Sequence, residues 1–117
     1  IEATTALQKG DIVLMMADRL HQGRHETVDF LGSKVHLPIA AYHLAATAGS
    51  PVVVLLANKT GRKSYSLAIW DMFYPGQSEL GKKEELAHCA QRFSCTLEKY
   101  VEQYPYQWYN FFDIWAQ

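Results

Sequence analysis

The sequence has no long apolar run, no excess of charge of one sign and no closely spaced pair of cysteines, and each absence excludes a class of protein. The longest unbroken apolar runs, such as residues 52–57, are far too short to cross a bilayer. The formal net charge of −1 offers no basic field that would attract nucleic acid. Cys89 and Cys95 match neither a Cys-x-x-Cys zinc pair nor a disulfide within one helix, so we expect two free thiols and no metal.

The composition that remains is that of a small globular protein. Apolar residues make up 49% of the 117 residues, aromatic residues 13% and charged residues 20%. This balance is enough for a real core, and the length allows one domain at most. We therefore treat residues 1–117 as one unit. Because residues 1–10 resemble the tail of a helix that closes on Gly10, we expect this unit to be a piece of a longer protein.

Four segments have the pattern of strands, and three have the pattern of helices. The predicted strands are residues 11–18, 25–32, 50–59 and 64–73, with the last two joined as a hairpin. The first predicted helix begins at Pro38 and ends at Gly49. The second covers residues 82–104, and the third covers the aromatic segment after Pro105. This order predicts an α/β fold with a mixed sheet of about four strands and helices packed on it.

Four stretches, taken in order, resemble the bacterial lipid A biosynthesis branch of the lysophospholipid acyltransferase superfamily. They are "LQKGDIVLMMADR" (7–19), "VDFLG" (28–32), "LPIAAYHLAATAGSPVVVLL" (37–56) and "YPYQWYNFFDIW" (104–115). The resemblance covers nearly the whole chain and corresponds to the C-terminal half of such enzymes. The last stretch departs from the family, because it has Asn-Phe-Phe-Asp where lipid A enzymes usually carry His and Arg. This departure suggests a side branch that acylates a different lipid.

The resemblance implies a fold, a reaction and a location. The chain would be part of a larger acyltransferase-type α/β sandwich that moves a fatty acyl chain from an acyl carrier protein thioester to a hydroxyl of a membrane lipid. It would need no cofactor beyond the thioester, and it would work at the cytoplasmic face of the bacterial inner membrane with peripheral membrane contact. A fragment of a larger sheet would leave an apolar edge uncovered, so self-association into a homo-oligomer is also expected.

His21 and Glu26 have the spacing of a histidine base and its carboxylate partner, which suggests acyl-transfer chemistry. In the family that the sequence resembles, however, the catalytic His-x-x-x-x-Asp/Glu motif lies well upstream of the block that ends on Asp18. We therefore interpret the pair as a polar loop that matches the spacing by chance, and we expect this chain to contain no catalytic residue of its own.

Asp18 and Arg19 are the candidate substrate-binding residues. They follow a predicted buried strand, where α/β sheets present functional groups, and the resemblance places Asp18 in the block that forms the acceptor pocket. The alternative is that Asp18 caps or bridges within its loop. A rival interpretation of the whole chain is a non-catalytic lipid- or protein-binding domain that uses the aromatic face between Trp108 and Trp115.

Overall fold

The computed structural model describes residues 2–20 and 22–116. Its elements are α1 (Glu2–Gln8), β1 (His25–Phe30), β2 (Ser33–Pro38), α2 (Ala40–Ala48), β3 (Val52–Gly61), β4 (Ser64–Phe73), α3 (Lys82–Gln103) and a closing 3-10 turn (Ile114–Ala116). The α/β class predicted from the sequence is confirmed, and three of the four predicted strands form, as β1, β3 and β4. The strands form two separate antiparallel pairs, β1–β2 and β3–β4, rather than one mixed sheet.

The first pair is a hairpin with a two-residue turn. Phe30 pairs with Ser33, which leaves Leu31 and Gly32 as the turn, and both have positive φ angles of 50° and 85°. Such turns suit the right-handed twist of paired strands but favour Asn or Gly at both positions. Leu31 is therefore an unusual occupant, because a leucine in this backbone region brings its Cβ too close to the carbonyl oxygen.

The second pair is the predicted hairpin, and its two faces have different environments. Side chains alternate along β3, so that Val54 is buried while Val53 and Leu55 are exposed. On β4 the outward-facing Leu67 and Ile69 are about two-thirds exposed. The outer face of this hairpin is thus an apolar surface that the described residues leave uncovered.

Helix α3 supplies the core face for both hairpins. The apolar side chains that recur every three or four residues along it are buried as predicted: Leu86, Cys89, Ala90, Phe93, Leu97 and Tyr100. They pack with buried residues of the first hairpin, such as Phe30 and Leu37, and of the second, such as Val54 and Phe73. One core therefore runs through both sheets.

Polar side chains of α3 also bind the backbone edge of β1 that β2 leaves free. The Asp29 N–H donates to Gln91 Oε1 at 2.9 Å, and the Asp29 carbonyl accepts from Gln91 Nε2 at 3.1 Å and from Ser94 Oγ at 2.6 Å. The Leu31 N–H donates to Glu98 at 2.7 Å. The helix thus satisfies backbone groups that a third strand would otherwise pair.

The structure differs from the predicted elements in three places. Residues 11–17 form no strand; Val13 and residues 15–17 instead line a cavity opposite β3, while Ile12 and Leu14 are exposed. Pro38 suggested the start of a helix, so β2 was not predicted. In the structure Pro38 ends β2, and α2 begins at Ala40. The aromatic segment after Pro105 has no α-helix, because Gln107 is bound to the backbone of Lys59 and Tyr109 has a φ of 52°.

We expect Leu31→Asn to raise the free energy of unfolding by about 1 kcal/mol, because asparagine tolerates the left-handed backbone that leucine resists. Urea unfolding followed by circular dichroism measures the change. Leu80→Asn is the matched control, since Leu80 is similarly exposed (47% against 41%) but does not have a positive φ. An equal gain in both variants would show that lost apolar exposure, not the turn, is responsible.

Candidate active site

An apolar cavity of about 270 Å³ lies between α2, β3 and the irregular segment 13–18. Its volume is close to the lower end of ordinary ligand pockets, about 300 Å³, and matches a narrow ligand better than a bulky one. Helix α3 contributes Phe93 and Leu97 to the wall. The other lining side chains come from all three surrounding segments and are almost entirely apolar, among them Val13, Met15, Ala41, Leu44, Ala45, Val52 and Leu56.

Asp18 lines this apolar cavity. Its carboxyl group is half-buried and makes no hydrogen bond or ion pair with any other residue in the part of the chain that the structure describes. A charged group that borders apolar surface without a partner is unusual in a purely structural role, because burial disfavours an unpaired charge. Asp18 therefore stays a candidate substrate-binding residue, and the loop-capping alternative has no hydrogen bond to support it among the described residues.

Arg19 lies on the other side of the same turn and does not line the cavity. Its guanidinium carbon is 5.2 Å from the centre of the Phe112 ring, a cation–π distance. The structure thus places the two predicted residues at different surfaces, with Asp18 at the cavity and Arg19 against the C-terminal aromatic segment.

Of the pair with catalytic spacing, His21 and Glu26, the structure describes Glu26, and His21 lies outside the described residues. Glu26 is in β1, paired with Leu37, and is half-buried. Of the four histidines that the structure describes, His36 is hydrogen-bonded to the Thr27 hydroxyl at 2.9 Å, and no hydrogen bond or salt bridge joins any of the four to a carboxylate. A histidine–carboxylate dyad is therefore not formed among residues 2–20 and 22–116.

Tyr42 is a site residue that the sequence analysis missed. It is 1% exposed, it lines the cavity, and its hydroxyl has no hydrogen-bond partner among the described residues. Burial, and secondarily the nearby Cys89 thiol, raise the pKa of Tyr42 well above its ordinary value, so the hydroxyl stays protonated. In the sequence, only the polar hydroxyl of Tyr42 within the alanine-rich helix α2 pointed to this residue.

The two cysteines are both free, as predicted. Burial is the main cause that raises the pKa of the Cys89 thiol to about 11, with the Glu85 carboxylate adding to it. A thiol in this environment is a poor nucleophile at neutral pH, because the thiolate is the reactive form. Cys89 therefore acts as a small core side chain rather than as an acyl acceptor.

A second, more open cleft of about 410 Å³ is bordered by β4 and the start of α3. Arg92 binds the Asp71 carboxylate through two hydrogen bonds of 2.7 Å, and its guanidinium carbon lies 4.7 Å from the centre of the Phe73 ring. Because the hydrogen bond from Arg92 favours the ionised carboxylate, the pKa of Asp71 is lowered. Arg92 is thereby committed to an internal partner, so this cleft is a weaker candidate than the cavity.

Comparison with known proteins identifies the family. Residues 2–117 match the sequence model of a family described as bacterial lipid A biosynthesis acyltransferase. The chain belongs to that family. The assignment supports acyltransferase activity in general terms, with an acyl donor and a lipid acceptor as substrates. No curated protein and no solved structure matches the chain.

Within the described part of this acyltransferase-family domain, no helix is both long enough and apolar enough to cross a membrane. The longest helix, α3, is amphipathic and uses its apolar face for the core.

The Asp71–Arg92 pair gives a pH-dependent stability. Since the folded state lowers the pKa of Asp71, the pair stabilises the protein at neutral pH, and this stabilisation is lost as the pH falls through the folded-state pKa. We expect Asp71→Asn to lower the free energy of unfolding by about 1 kcal/mol at pH 7 and the difference from the wild type to vanish in acid. Urea unfolding of both proteins at pH 7 and in acid measures this difference in the free energy of unfolding.

Asp29→Asn is the control for this variant, because the Asp29–Lys34 pair is about two-thirds exposed on both sides and contributes little. If the two variants lose the same stability at pH 7, the hydrogen-bonded geometry of Arg92 is not the cause.

Proposed function

We propose that this domain is part of an acyltransferase. The enzyme moves a fatty acyl chain from an acyl carrier protein thioester to a hydroxyl group of a membrane lipid, such as a lipid A precursor. The proposal includes the location, which is the cytoplasmic face of the bacterial inner membrane. The observation that carries it is the apolar cavity whose wall includes Asp18, a carboxylate without a partner among the described residues, in a chain of this family. An acyl chain needs a narrow apolar cavity, and the reacting hydroxyl needs a polar group beside it.

The roles follow from the position of each residue. The cavity wall from α2, β3 and α3 holds the acyl chain. Asp18 contacts the polar end of the bound substrates, and Arg19 contacts the acceptor lipid. A histidine base, supplied by a part of the parent protein outside these 117 residues, removes the proton of the acceptor hydroxyl. The oxygen then forms a bond to the thioester carbonyl carbon, the carbon–sulfur bond breaks, and the thiolate leaves and takes up a proton.

A second candidate function is a lipid-binding domain without catalysis. No histidine among the described residues is hydrogen-bonded or ion-paired to a carboxylate, and this observation favours the second function. Such a domain would hold an acyl chain in the same cavity but would transfer none. The two functions agree on acyl binding and differ only in turnover, so they are separable by experiment.

Acyl binding is tested by narrowing the cavity. We expect Ala41→Phe to weaken the binding of a long acyl chain about tenfold, because displacing two methylene groups from apolar contact costs about 0.8 kcal/mol each. Short chains should lose much less. Displacement of a fluorescent fatty acid by acyl thioesters of increasing length measures both affinities.

Ala40→Phe is the matched control for this experiment, since Ala40 is the neighbouring residue of α2 but is exposed and does not line the cavity. A uniform loss at all chain lengths in the Ala41 variant, or the same loss in the Ala40 variant, would place the acyl chain elsewhere.

Turnover is tested through the carboxylate. In the full-length parent protein we expect Asp18→Asn to lower the rate of acyl transfer at least about tenfold without changing acyl binding, because a hydrogen bond to a charged group is lost from the reacting end. Asp11→Asn is the control, since Asp11 is exposed on the same segment and does not line the cavity. Full activity of the Asp18 variant would remove this residue from the site.

His21→Ala in the same assay decides the origin of the base. Retained activity is expected, since the base is proposed to lie outside these residues. If His21→Ala abolished transfer in a protein that still folds, the base would belong to this chain. If the wild-type parent bound acyl thioesters and transferred none, the lipid-binding function would replace the enzymatic one.

A further inference from the structure

The C-terminal segment of residues 104–113, here the aromatic loop, presents large rings to solvent. Tyr106 is 92% exposed and Phe111 is 90% exposed, while Tyr109 and Phe112 are partly exposed. Exposed aromatic side chains grouped on one loop are uncommon on a protein that has no partner. Each ring leaves a large apolar area in contact with water until a partner covers it.

The aromatic loop is held firmly by the rest of the protein. Gln107 Nε2 donates to the Lys59 carbonyl at 3.0 Å, and the Lys59 N–H donates back to Gln107 Oε1. The Trp108 ring lies 5.4 Å from that of Phe30, and Ile114 is 1% exposed in the core. The loop therefore contains both anchored residues and projecting ones. Its exposed rings are presented by a fixed backbone and do not result from a frayed end.

The end of the second hairpin, to which the aromatic loop is bound, is basic. Lys59, Arg62 and Lys63 lie within residues 58–63, here the basic tip, and the sequence has no acidic residue between positions 50 and 70. The aromatic loop itself has no charged residue before Asp113. The acidic groups nearest to it in sequence are Glu102 and Asp113, and the Asp113 carboxylate accepts a hydrogen bond from the Trp115 N–H.

The surface is continuous with the candidate site. Arg19 stacks on Phe112 of the aromatic loop, and its neighbour Asp18 lines the apolar cavity. One turn of chain therefore connects the cavity to the exposed rings. A lipid that lay against the aromatic loop would be next to the residues proposed to receive it.

We propose that the aromatic loop and the basic tip together dock on the surface of a bilayer that contains anionic lipids. Tyrosine and phenylalanine rings partition into the boundary between headgroups and acyl chains, and nearby lysine and arginine are attracted to anionic headgroups. An acidic protein partner would account for the basic tip but not for unpaired rings beside it. The inference deepens the proposed function, since it rests on an acceptor that resides in a membrane.

Co-sedimentation with phosphatidylcholine vesicles, prepared with and without phosphatidylglycerol, tests the proposal. We expect the wild-type chain to bind the anionic vesicles and to be released by high salt. The Tyr106→Ser/Phe111→Ser variant should bind them about tenfold more weakly. The Lys59→Gln/Arg62→Gln/Lys63→Gln variant should bind at least as weakly, and its residual binding should no longer depend on salt.

Matched controls lie at the opposite end of α3, about 30 Å away along the helix axis. Tyr74→Ser/Leu80→Ser removes two partly exposed apolar side chains there, and Lys82→Gln/Lys83→Gln removes two exposed cations. Both should bind vesicles like the wild type. Sedimentation of every variant without vesicles corrects for self-association, and circular dichroism confirms that each one folds.

The proposal is overturned if the wild type does not bind anionic vesicles, or if the test variants bind as tightly as the wild type. It is also overturned if the controls lose as much as the test variants, or if the basic tip binds purified acyl carrier protein while vesicles are ignored. Displacement of a fluorescent fatty acid from the cavity, measured on the same variants, separates this failure from failure of the proposed function.

Discussion

Helix α3 is the element that makes one domain out of two hairpins that share no hydrogen bond between their strands. A two-stranded hairpin is marginal in water by itself, so each pair of strands depends on the helix that covers it. The helix does this in two ways. Its apolar stripe joins the two hydrophobic surfaces, and its polar residues Gln91, Ser94 and Glu98 bind the free edge of β1. At its far end the Tyr100 hydroxyl donates to the Ala57 carbonyl of β3 at 2.7 Å.

The candidate site inherits its shape from this arrangement. Because α3 fixes β3 through the core, the strand provides one rigid wall of the cavity, and Phe93 and Leu97 of the same helix complete it. The opposite wall is the irregular segment that carries Asp18, which has no strand partner to hold it. A cavity with one rigid wall and one irregular wall suits a flexible chain, whose methylene groups need contact but not a fixed pattern of hydrogen bonds.

The sequence predicted the elements whose signal is local and failed where tertiary contacts decide. The repeat of apolar residues along α3 and the β-branched run of β3 are local signals, and both elements formed as expected. Residues 11–17 have an equally clear apolar run, but a strand needs a partner and none pairs with it among the described residues. The aromatic spacing between Trp108 and Trp115 resembles a helix face, yet the segment is irregular because Gln107 is bound to a distant strand.

The same distinction separates the two parts of the site. Asp18 and Arg19 stand out in sequence as charged residues that follow an apolar run, and the structure places Asp18 at the cavity wall and Arg19 against Phe112. Tyr42 does not stand out, because a tyrosine on an apolar helix face is ordinary until its hydroxyl is found buried without a partner among the described residues. Leaving that hydroxyl unpaired costs about 1–3 kcal/mol of stability. Such a cost is readily explained at a cavity wall, where a bound ligand supplies the missing hydrogen bond.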